Sequence, residues 1–80
     1  MVEKVEKIQN PCIETRKRLG FSRIEVAART GLSYHCIYIT ERGTSNVIPQ
    51  KLLSFFSAHD IDTEALKSAY TQYRQQLQAL

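Results

Sequence analysis

Eighty residues allow one small domain with a modest core. No apolar run approaches the roughly 20 residues of a membrane span, and the charged start lacks the apolar stretch of a signal peptide. Cys12 and Cys36 lack metal-ligand spacing, so they read as reduced, core-facing thiols of a cytoplasmic protein. The net charge of +3 is unevenly spread. Residues 16–51 carry Arg16, Lys17, Arg18, Arg23, Arg29, Arg42 and Lys51 against only Glu25 and Glu41. Both flanking segments are slightly acidic. A basic centre without a continuous basic amphipathic helix suits a polyanion better than a membrane surface.

In chain order, residues 1–9 form a charged leader with Val2, Val5 and Ile8 every third residue. It reads as a frayed end, an extra helical turn or an arm. Asn10 is placed to cap a first helix, with Pro11 at its first position. Cys12, Thr15 and Leu19 should face the core, and Gly20 should end the helix. Ser22 and Glu25 then form an S-x-x-E capping box, stapled by Phe21 and Val26. The second helix runs from about Arg23 to Arg29, with Val26 and Ala27 inward. Gly31 marks a sharp turn where a positive φ is needed. Ser33 caps a third helix, from about Tyr34 to Glu41, which turns Ile37 inward with Thr40 beside it.

That third helix leaves Ser33, Tyr34, His35, Tyr38 and Ile39 for its other side. Such an aromatic patch on a surface usually contacts something. Gly43 to Asn46 is a polar loop, and Pro49 opens a fourth helix, Gln50 to Ala58. Leu52, Leu53, Phe55 and Phe56 make it the most apolar helix and the centre of the core. Asp60 stands at a break where a left-handed cap is expected. Asp62 caps a fifth helix running to about Gln78. Beyond Leu66 its apolar positions are Tyr70, Tyr73, Leu77 and Leu80, at heptad-like steps of four, three, four and three. So small a domain offers this stripe little to pack against, so a homodimer is expected over back-packing on the monomer. Truncation after Leu66 should then leave a folded monomer.

Four motifs in register resemble the phage repressor/Cro (XRE-like) helix-turn-helix family. They are Gly20-Phe21-Ser22, Glu25-Val26-Ala27, Gly31-Leu32-Ser33 and Ile37-Tyr38-Ile39-Thr40-Glu41-Arg42-Gly43. The match runs without a gap from about Cys12 to Leu66. Departures are Thr40 for a large apolar residue, Arg23 for Gln, Thr15 for Leu and Asp60 for Gly. The resemblance implies an all-α, lambda-repressor-like domain of about five helices over residues 10–66. Residues 67–80 extend its last helix as a dimerisation element.

The resemblance also implies that the third helix enters the major groove of double-stranded DNA. Ser33, Tyr34, His35, Tyr38 and Ile39 become base-reading candidates. Arg23, Arg42, Thr44, Ser45 and Asn46 become phosphate contacts. Arg16 and Glu41 occupy positions where the family often places a structural ion pair. No phosphate loop, paired carboxylates, cofactor motif or metal cluster stands in the sequence. His35 and Cys36 are not a catalytic pair, because adjacent helical residues point about 100° apart. Binding is therefore expected over catalysis. The favoured function is a Cro-type transcriptional repressor, dimeric on a palindromic operator, of phage or mobile-element kind. The alternative is a protein-interaction module, an antirepressor or modulator, that uses the same fold on a protein partner.

Overall fold

The computed structural model describes residues 9–79. Leader residues 1–8 and Leu80 lie outside that range. Among the described residues the chain is all-α: α1 Pro11–Leu19, α2 Arg23–Thr30, α3 Tyr34–Arg42, α4 Gln50–Ala58 and α5 Thr63–Ala79. Helix α2 packs on α3 and α4, while α1 packs on α3 and α5, and α4 closes on α5.

Local chemistry sets the helix ends. The Ser22 hydroxyl accepts from Glu25 N at 3.1 Å, and the Glu25 carboxylate accepts from Ser22 N at 2.8 Å, which completes the capping box. Ser33 caps α3 by accepting from Cys36 N at 3.0 Å. Asp62 accepts from Glu64 N and Ala65 N at the start of α5. Asp60 takes φ 65° after α4, filling the left-handed position that glycine holds at the ends of α1, α2 and α3.

The core gathers Cys12, Val26, Ile37, Ile48, Leu52, Leu53, Phe56, Leu66 and Tyr70 from every helix and from the α3–α4 loop. Fully burying one such aliphatic side chain contributes about 1.5–3 kcal/mol. Leu19, Ala27 and Phe55, expected inside, are half-buried at its margin. Thr40 is wholly buried, and its hydroxyl donates to Cys36 O at 3.0 Å, so its polar atom costs little there. Burial pushes the Cys12 thiol up to about 12, with the Glu41 charge adding to the effect.

The stripe on α5 finds part of its packing within the monomer. Tyr70 is only 2% exposed, and its hydroxyl donates to Ser45 O at 2.8 Å. Tyr73 and Leu77 are half-buried against Gly43. A Cβ built on Gly43 would stand 2.7 Å from Tyr73 Cε2 and 2.9 Å from Leu77 Cδ1. The α3–α4 loop is thus the surface that the sequence pattern did not supply. Helix α5 crosses Leu66 without a break, and of the stripe after it Tyr70 is buried in the monomer's core while Tyr73 and Leu77 stay half-buried.

Candidate nucleic-acid interface

Helix α3 is fixed from behind by a buried polar network. Arg16 Nε donates to Glu41 Oε2 at 2.6 Å and Arg16 Nη2 donates to Oε1 at 3.2 Å. Its third group, Nη1, donates to Phe21 O at 2.9 Å, which ties the α1–α2 turn to the same point. Asn10 performs two tasks at once. Its Oδ1 accepts from Cys12 N to cap α1, and its Nδ2 donates to Thr40 O and Glu41 O at the end of α3. No buried side-chain nitrogen or oxygen among the described residues lacks a partner. A desolvated pair with its remaining groups satisfied positions a helix firmly, although the pair itself adds little net stability.

Glu41 is shared. Arg23 Nε donates to Oε1 at 2.7 Å from the solvent side, with about a third of its side chain exposed. Two guanidinium groups therefore meet one carboxylate, and the cluster keeps a net positive charge where α2 begins. Hydrogen bonds to Tyr34 and Glu41 raise the Arg23 pKa further, so the charge is permanent.

In front of this network stands the open face of α3. Arg23 Nη1 donates to Tyr34 Oη at 3.3 Å, and Arg42 Nη1 donates to Tyr38 Oη at 2.9 Å. Both guanidinium groups lie over the Tyr38 ring, 5.9 Å from its centroid for Arg23 and 5.6 Å for Arg42. His35 is exposed beside it, with ring centroids 6.4 Å apart. Tyr34 and Tyr38 are 45% and 36% exposed, which is unusual for side chains of this size on one short helix.

The other expected site residues fall less openly. Ile39 is half-buried, and its carbonyl accepts from Thr44 N at 3.0 Å and from the Thr44 hydroxyl at 3.2 Å. Ser33 spends its oxygen as the α3 cap. Ser45 Oγ donates to Val47 O, and Asn46 Oδ1 accepts from Arg74 Nη2. Thr44, Ser45 and Asn46 thus brace the loop, Thr44 and Ser45 through their hydroxyl donors and Asn46 through its side-chain carbonyl oxygen only. Arg42, Thr44 and Asn46 remain exposed to solvent.

Sequence reasoning missed Arg74, whose Nε donates to Gly43 O at 3.0 Å and so fixes the loop that follows α3. Its only signal was a single cation among the glutamines of the second half of α5. Ile24 and Val47, 70% and 67% exposed, were missed as well. Ile24 edges a shallow depression lined by Arg16, Ser22, Arg23 and Tyr34. Both cysteines are free thiols, and the described residues hold no cluster able to bind a metal ion. Among the described residues no helix is long and apolar enough to cross a membrane.

No family model, curated protein or solved structure matches this chain.

Proposed function

We propose that this chain is a sequence-specific, double-stranded-DNA-binding transcriptional regulator, with α3 as the helix that enters the major groove. One observation carries this: α3 turns Tyr34, His35 and Tyr38 outward between the permanent charges of Arg23 and Arg42. Aromatic hydrogen-bonding groups flanked by cations suit base edges flanked by phosphates. The buried Arg16–Glu41 pair and the Asn10 bridge hold that face in one orientation, which groove readout requires.

The chain acts in this proposal as a cytoplasmic repressor of the Cro type, without a cofactor or a catalytic step, occupying a promoter. Its partner besides DNA is a second copy of itself. Tyr70 is committed to the monomer, so the dimer seam falls to the outer edges of Tyr73 and Leu77. A protein-interaction module is the second reading. Exposed Ile24 beside Tyr34 favours it, because groove entry by α3 gives Ile24 no role.

Selection of bound duplexes from a random DNA library tests the proposal. An enriched two-fold sequence supports it. No enrichment, with α3 instead protected by a bound protein, supports the module.

A further inference from the structure

The two tyrosines on the open face of α3 are each held by an arginine. A guanidinium carries only donors. In both bonds the phenol oxygen must therefore accept, from Arg23 at Tyr34 and from Arg42 at Tyr38. Neither hydroxyl donates to any described residue, so each proton is left for a ligand. A charged donor on the oxygen also polarises the O–H bond and makes it the stronger donor outward. Ser33 repeats the arrangement, since its oxygen accepts from Cys36 N and its proton is uncommitted.

The base edges answer this polarity unequally. In the major groove guanine shows two acceptors, N7 and O6, and adenine shows N7 beside its amino donor. Thymine shows the O4 acceptor beside its methyl group, and cytosine shows only the N4 amino donor. We infer that Tyr34 and Tyr38 are specificity-determining hydrogen-bond donors, set in that role by Arg23 and Arg42, so that α3 selects acceptor-bearing base edges, guanine with its two acceptors foremost, and discriminates against cytosine amino groups. This rests on the DNA-binding proposal and adds the polarity of the code to it.

The test uses the full chain and the duplex enriched from the random library. Each guanine of that duplex is replaced singly by 7-deazaguanine, which lacks N7, and by 6-thioguanine, whose sulfur is a poorer acceptor than O6. Tyr34→Phe and Tyr38→Phe keep the rings and remove only the hydroxyls, and thermal melting checks that both variants fold. The expected result is a loss of about 3- to 10-fold at one or more guanines with one analogue, the range for a single hydrogen bond. The same analogue should then cost nothing further in the matching phenylalanine variant. If the wild type is indifferent to both analogues, or the variants' losses map to cytosine amino groups, the donor assignment is overturned while DNA binding stands. If no duplex is enriched at all, the DNA-binding proposal falls and the donor code falls with it.

Discussion

Replacing Gly43 by alanine separates two physical costs that the other glycines do not combine. Gly43 has φ 82°, in the left-handed region, where an L side chain costs about 1–2 kcal/mol. Gly31 has φ 79° and pays the same conformational cost, but a Cβ there meets nothing within 4 Å. At Gly43 the new methyl would press on the Tyr73 ring at 2.7 Å and on Leu77 at 2.9 Å. Both belong to α5, which Arg74 and Tyr70 anchor to the same loop, so relief requires that these two half-buried side chains, or α5 itself, shift. Overpacking of this kind adds about 1–3 kcal/mol. Gly43→Ala should therefore be less stable than Gly31→Ala by about 1–3 kcal/mol in urea unfolding followed by circular dichroism. For a domain of this size that difference lowers the melting temperature by about 5–20 °C. Truncating the obstacle supplies the control. In a Tyr73→Ala background the extra cost of Gly43→Ala should largely vanish, as coupling between contacting side chains requires. Equal losses at Gly31 and Gly43, or no coupling to Tyr73, would refute the reasoning and free the α5 stripe for another partner.

Glu41→Gln should destabilise by about 3–5 kcal/mol in the same assay, because it leaves the Arg16 charge buried without its counter-ion. Arg42→Ala should weaken binding to every duplex, relax the preference read by Tyr38, and flatten the salt dependence of affinity by about one unit, measured by fluorescence anisotropy across a salt series. Truncation after Leu66 should unfold the domain or lower its melting temperature sharply, since it removes Tyr70 from the core; an intact, equally stable fragment would restore the sequence-based expectation. Alkaline stability follows from two raised groups: burial holds Cys12 at about 12 against an ordinary 9.0, and holds Tyr70 at about 12 against 10.0. The folded state keeps protons that the unfolded chain releases, so stability should be full below about pH 9 and fall as pH rises towards 12, the Cys12→Ala variant showing the shallower fall.

The helices were legible because their ends are written in capping chemistry. Ser22 with Glu25, Ser33, Asp62 and the three glycines fixed each boundary to within about a residue, and Asp60 took the left-handed position its place suggested. Cys12, Val26, Ile37, Leu52, Leu53 and Phe56 followed from spacing alone. What escaped was long-range and polar. Asn10 reads as a helix cap, yet its amide group reaches the end of α3, thirty residues on in sequence. Arg23 was assigned to phosphate by position, and nothing in the local pattern shows that Glu41 takes one of its bonds. The heptad-like stripe of α5 carries apolar period but no partner identity. The loop from Gly43 to Ile48, too polar to look like a packing surface, turns out to receive it through one bare glycine and two carbonyls.

Whether the α3 face meets DNA is tested most directly by titrating an isotope-labelled chain with its selected duplex and mapping the amide chemical-shift changes by NMR. The largest changes should fall on residues 33–39 and on 42–46, with the outward side of α5 changing only through dimerisation. A duplex that leaves α3 unmoved, or shifts only the surroundings of Ile24 and Val47, would contradict groove entry by this helix.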